Sequence, residues 1–250
     1  MSRGERAPGI DLEGRFEIEG AVLFDNLRLR LVPGRWTCLL GPSGVGKSTV
    51  LRLIAGLVTG GRFDGRIRAD DGAALEGRIA YMAQPDLLPP WLTVERSVLL
   101  GARLRGERPN RERARRLIER VGLASHRHKR PSALSGGMRQ RAALARCLME
   151  DRLVALLDEP FSALDAATRA EMQELAFETL TERTVLLVTH DPAEAVRLGY
   201  RVYLLLPEGL EEARLPENAP LRAACADATL HAQAELLQRL RAVRLEGRRA

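Results

Sequence analysis

The sequence predicts an α/β fold with a mostly parallel sheet, and three features of the chain support this class. First, three short apolar runs have the length and continuity of strands that are covered on both faces, at residues 36–40, 154–157 and 185–189. Second, each run is followed by a segment with helical character, at residues 47–57, 167–180 and 192–198. Third, a glycine-rich loop joins the first run to its helix. Such alternation of strands and helices is typical of a parallel sheet.

Local patterns predict the remaining strands. They are expected at residues 15–18, at 23–32, around Ile67, at 79–81 and at 202–206. Pro33-Gly34 provides the turn that leads into the strand at 36–40. Residues 1–11 show no strand pattern and are interpreted as a frayed terminus.

The chain takes on helical character between residues 88 and 150. Asn110 is a good N-cap and Gly122 a good C-terminal stop. The helix between them has one apolar face, formed by Ala114, Leu117, Ile118 and Val121. We therefore place an inserted helical subdomain at residues 88–150, within a domain that spans residues 12–212. The tail at 213–250 ends in a predicted amphipathic helix whose apolar residues are Leu230, Leu237, Leu240 and Val243.

Composition excludes several other classes of protein. The 250 residues can bury a substantial core. No apolar run approaches the roughly 20 residues that span a membrane. No signal peptide is visible, so we expect the chain to stay in the cytosol. Cys38, Cys147 and Cys225 lack metal-ligand spacing and are interpreted as buried residues in a reducing compartment.

The net charge of +6 raises the question of a nucleic-acid partner. Nearly all basic residues are arginine, since Lys47 and Lys129 are the only lysines. Such a bias reflects the coding preference of a genome more often than a binding surface, so we expect no specific nucleic-acid partner. Arginines outnumber acids between residues 96 and 146, which predicts one basic side of the molecule.

Residues 41–49 are predicted to be a phosphate-binding loop, because they fit the pattern G-x-x-x-x-G-K-[ST] between a strand and a helix. Lys47 should reach the β- and γ-phosphates of ATP, the Ser48 hydroxyl should bind Mg²⁺, and Thr49 should support the α-phosphate. The alternative is a glycine-rich turn without a ligand, which the Lys-Ser-Thr sequence disfavours. All loop residues are candidates for nucleotide binding: Gly41, Pro42, Ser43, Gly44, Val45, Gly46, Lys47, Ser48 and Thr49.

Two adjacent carboxylates follow the strand at residues 154–157. Asp158 can hold Mg²⁺ through water, and Glu159 can orient and polarise the attacking water. Taken alone, the pair could equally be an acidic loop facing solvent. The phosphate-binding loop upstream favours the catalytic interpretation.

Ser135, Gly136 and Gly137 open a helix. Ser135 can act simply as its N-cap. The same geometry also presents a hydroxyl, bare backbone amides and the positive end of the helix, which suits a γ-phosphate.

These motifs, in this order, resemble the ATP-binding-cassette (ABC) family. The stretches that carry the resemblance are the loop at 41–49, Leu-Ser-Gly-Gly-Met-Arg-Gln at 134–140 and Val-Ala-Leu-Leu-Asp-Glu-Pro at 154–160, within a similarity from about residue 15 to 206. The resemblance implies a P-loop NTPase core with a mostly parallel sheet, an antiparallel β subdomain and an inserted helical subdomain. It also implies a head-to-tail homodimer on ATP binding, in which Ser135 of each copy faces the nucleotide held by the other.

The resemblance gives roles to three more positions. Gln84 matches the Q-loop glutamine, which faces Mg²⁺ and the γ-phosphate and senses the membrane partner; a lone glutamine is otherwise a surface residue. Asp165 ends the D-loop at residues 162–165, and would otherwise be a helix cap. His190 matches the switch histidine, catalytic together with Glu159; a lone histidine at a strand end is otherwise structural. The other histidines are interpreted as solvated: His126, His128 and His231.

One feature departs from the family pattern. Members usually carry an aromatic residue that stacks on adenine a little over twenty residues before the loop. Here the nearest match is Ile18, with Phe16 two residues earlier. Either adenine is held by aliphatic contact or Phe16 takes the role.

The resemblance implies the ATPase subunit of a bacterial importer, peripheral on the inner face of the membrane. Its expected partners are permease subunits, which would contact residues 84–91, and a solute-binding protein. Residues 82–93 and 158–165 resemble the cassettes of importers for nitrate, sulfonates, taurine and thiamine precursors, with the hydroxymethylpyrimidine branch slightly favoured through residues 99–106. The alternatives are a nucleic-acid-associated ABC ATPase and an exporter cassette.

Overall fold

The structure, a computed structural model, describes residues 6–246, of which residues 243–246 are described by their backbone alone. Within this range the strands are β1 (Ile10–Ile18), β2 (Ala21–Leu31), β3 (Trp36–Leu40), β4 (Arg62–Ala69), β5 (Ile79–Met82), β6 (Val154–Asp158), β7 (Thr184–Thr189), β8 (Arg201–Leu206) and β9 (Gly209–Glu212). The α-helices are α1 (Lys47–Ile54), α2 (Val94–Val98), α3 (Leu100–Leu104), α4 (Arg111–Arg120), α5 (Gly136–Met149), α6 (Ala166–Thr179), α7 (Pro192–Leu198) and α8 (Asp227–Glu246). None of the helices in residues 6–246 combines the length and the apolar character that a membrane crossing requires.

A six-stranded sheet lies at the centre, with strand order β5-β6-β7-β3-β8-β9. Strands β5, β6, β7, β3 and β8 are parallel, and β9 pairs antiparallel with β8. Every residue of β3, β6 and β7 is buried, which explains their continuous apolar sequences. The predicted α/β class is confirmed.

The parallel arrangement gathers the motif residues at one edge of the sheet. The carboxyl ends of parallel strands meet at the same edge, where α/β proteins usually bind ligands. The glycine-rich loop follows β3, Glu159 follows β6 and His190 follows β7. Gln84 comes two residues after the end of β5. Four segments distant in sequence therefore meet at one place.

A second sheet is three-stranded and antiparallel, in the order β2-β1-β4. It packs over one face of the central sheet, where Leu39, Leu156 and Leu186 share a hydrophobic core with Val50 and Leu51 of α1. The antiparallel β subdomain expected from the resemblance is therefore present.

The opposite face of the central sheet is covered by helices. Cys38, Leu157 and Leu187 belong to a second core that includes Leu144 of α5 and Met172 of α6. The predicted helix boundaries of α4 are confirmed, because the Asn110 side chain accepts a 2.9 Å hydrogen bond from the Arg113 N–H. Gly122, with φ of 69°, follows the end of this helix.

The structure corrects two predictions about the chain's ends. Strand β1 begins at Ile10, so the described part of residues 1–11 is not frayed, and Ala7 is buried; residues 1–5 lie outside the described residues. Cys38 and Cys147 are buried as expected, but Cys225 is exposed. Cys225 lies at a turn in the irregular stretch before α8.

The predicted apolar face of the C-terminal helix was wrong at Leu230 and Leu237. Leu230 and Leu237 are 48% and 41% exposed, whereas α8 buries Ala232 and Leu236. Ala232 and Leu236 are four residues apart, so they share the face of the helix that packs on the core. Leu240 packs against the core, and the side chain of Val243 lies outside the described residues.

Candidate nucleotide-binding site

The glycine-rich loop is shaped by glycines at positions that no other residue fits. Gly46 has φ of 106°, in the left-handed region, and precedes the first residue of α1. A Cβ atom at Gly41 would lie 2.4 Å from the carbonyl oxygen of Leu205. The loop therefore curves tightly against β8 and directs the backbone N–H groups at the start of α1 into the space above it, which is a favourable place for phosphate.

The Lys47 ammonium lies inside this loop. Its Nζ donates hydrogen bonds to the carbonyl oxygens of Gly41, at 2.8 Å, and Pro42, at 2.7 Å. Burial lowers the pKa of Lys47, while the carboxylates of Glu159 and Asp158 oppose that shift. The loop thus holds a partly desolvated positive charge where a phosphate group can reach it.

Asp158 presents a buried carboxylate whose oxygen Oδ1 has no hydrogen-bond partner among the described residues. Burial raises the pKa of Asp158, a hydrogen bond with Ser48 lowers it, and the neighbouring charge of Glu159 raises it further. A buried polar atom without a partner is costly. Carboxylate and hydroxyl oxygens are the ligands that Mg²⁺ prefers, so Asp158 and Ser48 fit a magnesium ion.

Glu159 is held between two other predicted site residues. His190 Nδ1 lies 3.1 Å from Glu159 Oε1, and Gln84 Nε2 donates a 3.4 Å hydrogen bond to Glu159 Oε2. The backbone of Glu159 has φ of 48°, a conformation that non-glycine residues seldom adopt and that is common at functional sites. A carboxylate in this position can accept a hydrogen bond from water and orient it.

A cavity of about 210 Å³ lies between the glycine-rich loop, Gln84 and Glu159. Its lining consists of Leu23, Ser43, Gly44, Gly46, Lys47, Ser48, Thr49, Gln84 and Glu159. Asp158 and His190 do not line it but are in contact with its lining, Asp158 with Ser48 and His190 with Glu159. Four other predicted residues are also not among the described residues that line it: Ser135, Gly136, Gly137 and Asp165. The structure therefore assembles one part of the predicted site and leaves the helix-opening motif apart from it.

Ser135 and Asp165 each begin a helix. The Ser135 side chain accepts a hydrogen bond from the Met138 N–H at 3.3 Å, and Asp165 accepts one from the Thr168 N–H at 3.0 Å. The two motifs touch, because a Cβ atom at Gly137 would lie 3.1 Å from the carbonyl oxygen of Ala163. Both capping interpretations are correct within one chain, and the exposed Ser135 remains accessible from outside.

Phe16 cannot be the residue that stacks on adenine. Its side chain is fully buried and stacks on Phe24, with 5.7 Å between the ring centroids. The other candidate, Ile18, is 37% exposed. Leu23, which sequence reasoning missed, lines the cavity and contacts the loop at Gly46. The described lining of the cavity therefore contains an aliphatic side chain, Leu23, and no aromatic ring.

Sequence reasoning also missed Gln140, the last residue of the motif at 134–140. Its amide donates to the carbonyl oxygen of Glu159, at 2.9 Å, and its Oε1 accepts from the Ala163 N–H, at 2.7 Å. The only sequence signal was its place in the same short motif as Ser135.

A buried acid, Glu194, lies behind the histidine loop. It accepts a 2.7 Å hydrogen bond from the Thr189 hydroxyl, and its Oε1 lies 3.8 Å from Arg169 Nε. Burial raises the pKa of Glu194 to about 7, and the charge of Asp191 adds to this rise, while Thr189, Arg169 and His190 oppose it.

We expect Glu194→Gln to reduce the loss of stability that occurs as the pH rises from about 4.5 to 7. The folded protein keeps a proton on Glu194 above pH 4.5, where the unfolded chain has released it, so this residue lowers the free energy of unfolding as pH rises from about 4.5 to 7. One pKa unit corresponds to about 1.4 kcal/mol. Urea unfolding measures the free energy of unfolding of both proteins at pH 5 and at pH 8. Between these two pH values the variant should lose about 2 to 3 kcal/mol less of it than the parent protein loses. An equal difference at both pH values would contradict this account.

Several known proteins are similar to this chain. The sequence profile of the family described as "ABC transporter" matches residues 24–162. An uncharacterized ABC transporter ATP-binding protein of Haemophilus influenzae is 50% identical over 209 residues, which cover 80% of this chain and 85% of that protein. The aliphatic sulfonates import ATP-binding protein SsuB 1 of Rhodococcus jostii is 45% identical over 216 residues, covering 85% of each chain.

A solved structure shares the fold. It is described as the dimeric structure of MJ0796, a bacterial ABC transporter cassette, and it superimposes with a TM-score of 0.71 at 28% sequence identity. The match covers 86% of this chain and 99% of that chain.

Proposed function

Since the chain belongs to the ABC transporter family and is an ATP-binding ATPase, we propose that it is the ATPase subunit of a bacterial importer for a small solute. The observation that carries the proposal is the cluster of Gln84, Glu159 and His190 beside the phosphate-binding loop. Relatives with 41% to 45% identity are named aliphatic sulfonates import ATP-binding proteins, which favours an organosulfonate as cargo. This replaces the thiamine precursor as the favoured cargo.

Each loop residue has a physical role in nucleotide binding. The N–H groups at the start of α1 cradle the phosphates, and Lys47 moves from its carbonyl partners to the β- and γ-phosphates. Ser48 and Oδ1 of Asp158, which has no hydrogen-bond partner among the described residues, would hold Mg²⁺. Gln84 would be the third protein ligand of this ion. When bound, this ion supplies positive charge that offsets the charge developing on the phosphate oxygens. Thr49 lines the same cavity and supports the α-phosphate.

Glu159 is the group that orients the attacking water. Its carboxylate accepts a hydrogen bond from the water and raises its nucleophilicity toward the γ-phosphorus. His190, 3.1 Å from Oε1, holds the carboxylate in place and can contact the transferred phosphate. Gln84 donates a hydrogen bond to the other carboxylate oxygen of Glu159. It therefore connects the site of the attacking water to the segment that follows β5.

ATP closes two copies of the chain into a homodimer. Ser135, Gly136 and Gly137 offer a hydroxyl, backbone N–H groups and the positive end of a 14-residue helix, yet they lie outside the cavity of their own chain. A second copy of the chain, placed head to tail, would bring its own Ser135, Gly136 and Gly137 to the γ-phosphate of the ATP bound to the first copy. The Asp165 loop, which touches Gly137 through Ala163, would lie at the same interface. The dimeric cassette of similar fold supports this arrangement.

The membrane subunits dock on the segment that follows Gln84. Leu87 and Trp91 are 62% and 69% exposed there, a large apolar area for a surface loop. The segment is anchored to α5, because Arg139 donates to Asp86 at 2.9 Å and Arg146 donates to the carbonyl oxygen of Leu87 at 2.7 Å. The permease and a solute-binding protein would complete the transporter, with this chain peripheral on the inner face of the membrane.

Co-reconstitution with permease subunits tests this function. ATP hydrolysis should change several-fold when the cognate permease, in lipid vesicles, is added, and it should not respond to DNA or RNA at physiological salt. Non-specific binding of nucleic acid to the arginine-rich side would weaken steeply with salt. Strong, salt-resistant stimulation by nucleic acid would instead favour a nucleic-acid-associated ATPase.

We expect Trp91→Ala to reduce the response to the permease while the free protein keeps its ATPase rate. The side chain is exposed and lies outside the nucleotide cavity, so its removal should cost docking affinity alone. ATPase activity would be measured against permease concentration, and the half-maximal concentration should rise about tenfold. Leu104→Ala is the matched control, since Leu104 is 78% exposed on α3. Equal effects of the two substitutions would remove Trp91 from the docking surface.

A further inference from the structure

Gln140 occupies an unusual place between two motifs of one chain. It lies on α5, five residues after Ser135, and only 7% of it is exposed. Its Nε2 donates to the carbonyl oxygen of Glu159 at 2.9 Å and contacts the Ser162 hydroxyl at 3.2 Å. Its Oε1 accepts from the Ala163 N–H at 2.7 Å. One amide group thus bridges a helix and the loop that carries Glu159.

The backbone at Glu159 needs such support. Its φ of 48° costs a non-glycine residue about 1 kcal/mol or more, so surrounding contacts must fix it. The Glu159 N–H donates to the carbonyl oxygen of Val188 at 2.9 Å. On the other side, the Glu159 carbonyl accepts from Gln140 and from the Ser162 hydroxyl, the latter at 3.1 Å. Gln140 therefore fixes the peptide that determines where the Glu159 carboxylate points.

The same helix begins at the surface that our proposed function assigns to the second nucleotide. An α-helix transmits a displacement of its first turn along its length, because its backbone hydrogen bonds make it stiff. Ser135 caps α5, and Gln140 lies little more than one turn further along. A movement of the cap toward a phosphate would therefore reach the Glu159 peptide through a single side chain.

We propose that Gln140 is a positioning residue that sets the Glu159 carboxylate according to the position of the helix opened by Ser135. The inference rests on the proposed function, in which Glu159 orients water in one site and Ser135 contacts the nucleotide of the other. Through Gln140, occupation of one nucleotide site in the dimer adjusts the catalytic carboxylate of the second.

Gln140→Met tests the inference, because methionine matches the length of glutamine and removes its three polar contacts. The turnover number should fall about tenfold to a hundredfold, since small displacements of catalytic groups have effects of this size. The KM for ATP and the affinity for a fluorescent ATP analogue should stay within about twofold of the parent values. Gln173→Met is the matched control, because Gln173 on α6 is also buried and accepts a 2.8 Å hydrogen bond from Arg197 of α7.

A double-mutant cycle separates positioning from general destabilisation. In a Glu159→Gln background, Gln140→Met should produce no further loss of single-turnover rate, because the group that it positions is already gone. Independent, additive losses would overturn the inference, and so would a normal turnover number in Gln140→Met. If Glu159→Gln alone retained the parent rate, the proposed function itself would fail, and the two failures are therefore distinguishable.

Discussion

Replacing Glu159 with glutamine is expected to abolish most ATP hydrolysis and to leave ATP binding intact. The carboxylate oxygens lie against His190 and Gln84, where a water aligned with the γ-phosphate would donate to them. An amide is a much weaker acceptor for that proton, and groups of this kind contribute about 10²- to 10⁴-fold to rate. Phosphate release and nucleotide binding should be measured on the same preparation.

The control for this variant is Glu174→Gln. Glu174 lies on α6, is exposed, and receives a hydrogen bond from Arg197, so it tests the loss of one carboxylate remote from the cavity. Its hydrolysis rate should equal that of the parent protein. Parent-like turnover in Glu159→Gln would exclude Glu159 as the water-orienting group.

Lys47→Ala should instead weaken nucleotide binding itself. The Lys47 ammonium is the one basic side chain among the described residues that line the cavity. A charge-assisted hydrogen bond to phosphate contributes about 1.5 to 3 kcal/mol, so the dissociation constant for ATP should rise about tenfold to a hundredfold. Titration with a fluorescent ATP analogue would measure it.

Lys129→Ala is the natural control, because Lys129 is the other lysine of the chain and lies exposed outside the cavity. It should bind the analogue as the parent does. An unchanged affinity in Lys47→Ala would mean that the loop binds phosphate through its backbone alone.

The central motifs could be predicted from sequence because their chemistry is local. The glycine-rich loop has a spacing that only a tight strand-to-helix turn requires, and Asp158-Glu159 ends an apolar strand. Once the strands are known to be parallel, their carboxyl ends must meet, and this brings Gln84 and His190 to Glu159. The sheet order decides these neighbours, and the sequence pattern contains no information about it.

Phe16 shows where local reasoning fails. Strand β1 begins at Ile10, whereas the sequence pattern predicted a strand only at residues 15–18. Along β1, Ile10, Leu12 and Phe16 lie at alternate positions on one face, and all three are buried. The aromatic ring therefore points into the core, against Phe24, and the short predicted segment could not reveal this.

The residues that Gln140 contacts are distant from it in sequence, so local patterns could not predict these contacts. Its partners Glu159 and Ala163 lie 19 and 23 residues away, and they meet it only because α5 packs beside the loop after β6. A glutamine within a helix usually faces solvent, and its burial follows from tertiary packing alone.

The state of assembly of Glu159→Gln tests the central claim, that two copies close around ATP, most directly. Light scattering should give one chain of 27.6 kDa without nucleotide and twice that mass with ATP. Adding Ser135→Arg should prevent the dimer by placing a bulky side chain where the γ-phosphate approaches. Asn110→Arg, which also replaces a helix cap by arginine, should not prevent it. A dimer that forms without ATP, or a trapped variant that binds ATP and stays monomeric, would contradict the account.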